Sequence, residues 1–283
     1  MSHMPLPPRR LFRLALVMGA CAVLAAPAAA ESPSGDDVVM AGLLGGWRVD
    51  AGHQMTGLHL RLAPEWKTYW RAPGDAGIPP RFDWSGSSNL KAVAIHWPQP
   101  KVFLTNGIHS LGYTDDVVLP LEITANDPRL PVTVNLTLDI GVCKDICVPA
   151  TLRVAAEVSP DPDGKGGADA QAVARALKAV PIGGREAGLD GISCEIEPIA
   201  DGLRLTARMD LPSRGTNEVV VFESDMQDVW VAQSMVERQG RHLTATTEMV
   251  SGSGAPFALD RSGIRITVFG DGHASEIMGC PAP

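Results

Sequence analysis

From Val38 to about Val158 the chain alternates apolar and polar residues with a period of two, and turns keep interrupting it. The rhythm is clearest in Gly57-Leu58-His59-Leu60-Arg61-Leu62, Lys91-Ala92-Val93-Ala94-Ile95-His96 and Val132-Thr133-Val134-Asn135-Leu136-Thr137-Leu138. A period of two buries one face of a strand and wets the other, whereas a helix needs 3.6. Between these segments stand Pro73-Gly74-Asp75, Pro79-Pro80, Trp84-Ser85-Gly86-Ser87, Asn106-Gly107 and Asn126-Asp127-Pro128, all turn-forming sequences. Strands this short cannot cover their apolar faces alone. They must layer, and the prediction is an all-β sandwich.

The rhythm stops at Ser159-Pro160-Asp161-Pro162-Asp163-Gly164-Lys165-Gly166-Gly167, which has no apolar side chain to bury and reads as a linker. Ala168 to Val180 follows, with Val173, Leu177 and Val180 at helical spacing, and predicts one short helix ended by Pro181. Alternation returns in Ile192–Ile196, Leu203–Ala207, Glu218–Phe222, His242–Thr246 and Ile264–Val268. The expected organisation is a first sandwich over residues 31–158, linker and helix over 159–187, and a second sandwich over 188–283.

Residues 1–30 differ from both. Arg9, Arg10 and Arg13 precede the apolar run Leu14 to Ala26, and Ala28-Ala29-Ala30 follows it. This is the layout of a secretory signal peptide; the run is too short for the ~20 residues of a spanning helix. Cleavage after Ala30 places the protein in the periplasm, with no membrane span left. It removes three positive charges and no negative one from a chain whose formal net charge is already -8. No basic face remains to neutralise a phosphate backbone, so nucleic acid is not an expected partner.

Of five cysteines, cleavage removes Cys21 and leaves Cys143, Cys147, Cys194 and Cys280 in a compartment where disulfides persist. Cys194 and Cys280 bracket the second sandwich. A bridge between them closes a loop worth about 4.5 kcal/mol of unfolded-state entropy and reads as a structural staple, although four cysteines allow three connectivities. Cys143 and Cys147 have three residues between them, and their ring contributes only about 2 kcal/mol. A short ring is easily opened by a thiolate, so reversible redox chemistry is the better reading of this pair. An inert local bridge and a soft-metal site, such as a copper site, remain open alternatives. His53, His59, His96 and His109 share the domain, but none forms a second pair with ligand spacing, and no metal or cofactor motif is found.

Further motifs carry a resemblance. Ala63-Pro64-Glu65-Trp66-Lys67-Thr68-Tyr69-Trp70-Arg71-Ala72-Pro73-Gly74-Asp75-Ala76-Gly77-Ile78-Pro79-Pro80 is one. Trp97-Pro98-Gln99-Pro100, Gly112-Tyr113, Val117-Val118-Leu119-Pro120-Leu121 and Val142-Cys143-Lys144-Asp145-Ile146-Cys147-Val148-Pro149 are the others. In this order they resemble the N-terminal periplasmic domain of the DsbD family of thiol:disulfide interchange proteins, and more closely its ScsB-type members. The resemblance implies an immunoglobulin-like sandwich, making the all-β chain two such domains, and implies that Cys143 and Cys147 shuttle a disulfide between proteins. It also implies a cap over the pair at the turn holding Phe103, Asn106, Gly107 and His109. The expected partners are a membrane thiol reductase or a thioredoxin-like periplasmic protein, together with disulfide-bearing clients. Family members continue into a multi-helix membrane domain and a thioredoxin-like domain. This sequence shows neither, so its electrons are expected to come from another protein. The competing reading is a non-catalytic binding module, or a copper-binding protein using the same cysteines. Trp66, Tyr69 and Trp70 read as packing residues.

Overall fold

A computed structural model describes residues 35–283 except 106, 161–165 and 227, so the expected leader, residues 1–30, lies outside the described residues. Ten strands build the first sandwich: β1 (Val39–Asp50), β2 (His53–Leu62), β3 (Lys67–Tyr69), β4 (Arg81–Asp83), β5 (Leu90–Ile95), β6 (Lys101–Thr105), β7 (Ile108–Thr114), β8 (Asp116–Ala125), β9 (Val132–Cys143) and β10 (Cys147–Val158). One sheet has the order β1-β2-β8-β5. The other runs β10-β9-β3-β7-β6, with β4 joining β9 beside β3.

The period of two decides what each strand buries. Val132, Val134, Leu136 and Leu138 of β9 point inward, while Thr133 and Asn135 between them face solvent. Leu58, Leu60, Leu119, Leu121 and Ile123 meet them from the opposite sheet. Each such side chain contributes about 1.5–3 kcal/mol on leaving water. Trp66 and Trp70 are in this core, as the sequence predicts.

The second sandwich uses β11 (Ile182–Gly183), β12 (Gly191–Ile199), β13 (Gly202–Asp210), β14 (Val219–Glu223), β15 (Val229–Val231), β16 (Met235–Gln239), β17 (His242–Ser251), β18 (Arg265–Gly270) and β19 (His273–Met278). Its sheets are β11-β19-β18-β14 and β12-β13-β17-β15, with β16 also paired to β17. Leu205, Ala207, Leu243 and Ala245 pack against Val220, Phe222, Ile266 and Val268. Cys194 of β12 is bonded to Cys280 inside this core.

The helix spans Ala168–Lys178, two residues shorter than its periodicity suggests, with Ala179 as C-cap. It lies on the outer face of the first sandwich, where Val173 is fully buried beside Trp47 and Met55. The two sandwiches also share side chains: Phe269 and Ala274, from β18 and β19, belong to the hydrophobic cluster of the first.

Candidate redox site

β9 and β10 are a twelve-residue antiparallel hairpin in which Cys143 and Cys147 are direct cross-strand partners, joined by the turn Lys144-Asp145-Ile146. Their sulfurs are bonded, and their Cα atoms are 4.1 Å apart. The two positions are unlike in access. Cys143 also pairs with Lys67 of β3, so strands flank it on both sides and it is 2% exposed. Cys147 opens β10 at the sheet margin and is exposed. Cys147 is therefore the more accessible residue of the pair to an attacking thiolate.

What covers Cys143 comes from the end of β3 and the segment that follows it. Tyr69 is two residues beyond Lys67 and so on the same face of the strand. Its hydroxyl lies 3.0 Å from Cys143 Sγ and 3.3 Å from Cys147 Sγ. It also donates to the Ala76 carbonyl at 3.3 Å. Burial of Tyr69 raises its pKa above the usual phenol value, so the hydroxyl keeps its proton at neutral pH and can serve as a donor.

β3 pairs with β9 only at Cys143 and Val142, plus a bond from Thr68 Oγ1 to the Gly141 carbonyl at 2.9 Å. Beyond that, Pro73, Pro79 and Pro80 lack the N–H a ladder needs, and the chain rises off the sheet before β4 resumes the pairing. It descends over Gly141. A Cβ on Gly141 would sit 2.9 Å from Ile78 Cδ1, so any other residue there would push the Ile78 side chain aside. Gly112 does the same on the other side of β3: a Cβ there would lie 2.0 Å from the Thr68 carbonyl oxygen.

A charged pair borders the turn. Ala63-Pro64-Glu65-Trp66 is a tight turn closed by the Trp66 N–H on the Ala63 carbonyl, with Glu65 in the left-handed region at φ 70°. A residue with a side chain costs about 1 kcal/mol or more there. From that position Glu65 accepts a 2.6 Å bond from Lys144 Nζ. The bond to Lys144, and then its charge, hold the Glu65 carboxyl below its ordinary range, while Glu65 holds the Lys144 ammonium above its own. Lys144, three residues before Cys147, thus has a carboxylate partner of its own.

The residues expected to form a cap are distributed differently along their hairpin. The Lys67 ammonium sits 4.7 Å over the Phe103 ring, which links Phe103 to the pair through the backbone partner of Cys143. Asn106 lies outside the described residues, and Gly107 forms the turn with φ 82°. His109 is five residues along β7 from Thr114, whose row contains Lys67 and Cys143, so roughly 17 Å separates it from that row. Its N–H donates to Gln233 Oε1 of the second sandwich. Among the described residues no three His, Cys, Asp or Glu side chains converge to hold a metal ion, and no helix is long and apolar enough to cross a membrane.

With this geometry in hand, comparison with known proteins separates the two halves. Residues 46–159 match the family described as thiol:disulfide interchange protein DsbD, N-terminal. The matched stretch is the first sandwich, which is similar to that N-terminal module. Cys143 and Cys147 lie within the matched residues, and Cys194 and Cys280 lie outside them. The crystal structure of the N-terminal periplasmic domain of ScsB from Proteus mirabilis has the same fold, with a TM-score of 0.61 and 21% identity. That match covers 86% of this chain and 92% of the ScsB domain, so the likeness takes in both sandwiches. No curated protein matches the chain.

Sequence reasoning missed Tyr69, whose hydroxyl reaches both sulfurs, and Ile78, which lies over Gly141. Both stand in the motif that carried the resemblance. Their positions against β9 depend on β3 lying next to it, and no local pattern encodes that pairing.

Proposed function

We propose that the chain is a soluble periplasmic thiol:disulfide interchange protein that relays reducing equivalents between partner proteins through Cys143 and Cys147. The observation that carries this reading is the asymmetry of the pair, an exposed Cys147 bonded to a buried Cys143 whose sulfur touches a protonated phenol.

Reduction begins when a partner thiolate attacks Cys147 Sγ. The Cys143–Cys147 bond breaks, Cys143 leaves as a thiolate, and the Tyr69 hydroxyl donates to it. The partner's second thiolate then attacks its own sulfur in the mixed disulfide and releases Cys147 as a thiolate. The partner is left as a disulfide and the pair reduced by two electrons, with protons taken up from water. In the client half-reaction the Cys147 thiolate attacks the client disulfide and Cys143 resolves the mixed disulfide, which restores the internal bond and leaves the client as a dithiol. Ile146, next to Cys147 in the turn and 55% exposed, offers apolar surface for a docking thioredoxin-like partner.

Single replacements test this. Cys143→Ser leaves the accessible sulfur without its resolving partner and is expected to accumulate covalent mixed disulfides in periplasmic extracts, identified by mass spectrometry. Cys147→Ser, which leaves only the buried sulfur, is expected to accumulate few. If neither variant traps a protein and the reduced wild type retains copper through dialysis, the relay is wrong.

A further inference from the structure

The segment that covers Cys143 is fastened to the second sandwich on both sides of its bend. Next to Tyr69, the fully buried Trp70 meets Phe269 of β18 edge to face, with ring centroids 5.3 Å apart. Arg71 follows. Its Nε and Nη2 donate to the two carboxylate oxygens of Glu223, both at 2.9 Å, and Nη2 also reaches Glu276 Oε2 at 2.6 Å. The guanidinium carbon stands 4.2 Å over the Trp70 ring. Past the bend, Asp75 Oδ2 accepts from the Gln233 N–H at 3.4 Å, and Gln233 Oε1 accepts from the His109 N–H at 2.9 Å. Ala76, the carbonyl partner of Tyr69, is the next residue after Asp75.

Arg71 is the strongest of these ties. Its side chain is 13% exposed and forms a two-pronged bond with Glu223, an arrangement that fixes direction as well as distance. Burial alone would pull its pKa down; the hydrogen bonds and charges of Glu223 and Glu276 outweigh that and raise it, so Arg71 stays a cation. Arg265 faces the other oxygen of Glu276 at 3.7 Å, and the cluster holds two cations against two carboxylates. Removing one member leaves a charge without its partner in a largely dry contact.

We propose that the second sandwich is a positioning element of the redox pair, holding Tyr69 against the two sulfurs through Arg71, with Trp70 and Asp75 as lesser ties. This inference rests on the reading of Cys143–Cys147 as an exchange site. It gives the second sandwich a role in the chemistry although, among the described residues, none of its side chains bonds to either sulfur of the pair. The direction of the effect follows from the geometry. Cys147 is already an exposed residue, so loosening the segment adds little access for attack. It does withdraw the donor from the leaving sulfur, and exchange slows.

The test uses the full processed chain, oxidised, with Arg71→Met, Tyr69→Phe and the double variant. Reduction of the pair by dithiothreitol is followed by alkylation quench, with peptide mapping to separate it from Cys194–Cys280, and ionisation of the reduced pair is followed by thiolate absorbance across pH. Arg71→Met is expected to slow reduction about threefold or more and to move ionisation upward, and to change either less than twofold once Tyr69 is Phe. A wild-type or faster rate in Arg71→Met, or an equal effect in both backgrounds, overturns the proposal. Should Arg71→Met fail to fold, Glu223→Gln and Glu276→Gln take its place; wild-type rates in both overturn it as well. The reductant is a small molecule, so these readouts do not depend on a partner. A failed relay appears as absent trapping, whereas a failed positioning role appears as a silent Arg71 variant with trapping intact.

Discussion

Replacing Tyr69 by Phe removes one oxygen from the site and leaves the ring, so it isolates what the hydroxyl does. Tyr69 is 4% exposed, and its hydroxyl stands 3.0 Å from the sulfur that must carry negative charge when the pair opens. A hydrogen bond to a charged group is worth about 1.5–3 kcal/mol. At about 1.4 kcal/mol per pKa unit, the Cys143 thiol of the variant should ionise about one to two units higher. Bond breaking is incomplete in the transition state. If roughly half the charge has developed, about 0.7–1.5 kcal/mol is lost, and reduction slows roughly 3- to 13-fold. The competing bond from the hydroxyl to the Ala76 carbonyl favours the lower end. The assay is the rate of opening of the pair by dithiothreitol at pH 7 with an alkylating quench, beside a thermal melt to verify folding. A folded variant that opens within 1.5-fold of wild type, with thiol ionisation unmoved, would refute the assignment of Tyr69 as donor to the leaving sulfur.

The two disulfides should differ sharply in their effect on stability. Cys194–Cys280 spans 86 positions and closes about 4.5 kcal/mol of chain entropy, so Cys194→Ala/Cys280→Ala should lose several kcal/mol in urea unfolding, whereas Cys143→Ser/Cys147→Ser should lose about 2 kcal/mol or less. Comparable losses would contradict the division into staple and working pair. The Glu65–Lys144 tie should depend on acid in one direction. Because the folded-state pKa of Glu65 is depressed, its contribution is complete above the ordinary carboxylate value of 4.5 and is lost as pH falls through the depressed value. Glu65→Gln should therefore be less stable than wild type at pH 7, with the two melting curves converging in acid. A gap that widens in acid would be the wrong sign.

Most of the framework was legible because strand alternation is a local signal. Val132, Val134, Leu136 and Leu138 announce which side of β9 is buried without reference to any partner. The same holds for the helix, whose Val173 is buried as its spacing suggests, although its packing on the outer face of the first sandwich needed contacts to Trp47 and Met55 that lie far away in sequence. The cysteines were legible as chemistry through their spacing. Their surroundings were not. Tyr69, Trp66 and Trp70 look alike in the sequence, and the two tryptophans are core residues. Tyr69 differs only because β3, three residues long, enters between β7 and β9 and turns it toward the sulfurs. Phe269 likewise reads as a residue of the second sandwich, yet it completes the core of the first, a consequence of long-range docking that no periodicity records.

The central claim is that Cys143–Cys147 is a working disulfide, and its reduction potential tests that most directly. Equilibration of the full chain with glutathione or a thioredoxin of known potential, read by alkylation and mass spectrometry, gives the value for this pair apart from Cys194–Cys280. A shuttle is expected between about -120 and -270 mV, the range spanned by exchange proteins. A potential below about -300 mV, where structural disulfides lie, would make the pair an inert bridge and contradict the account.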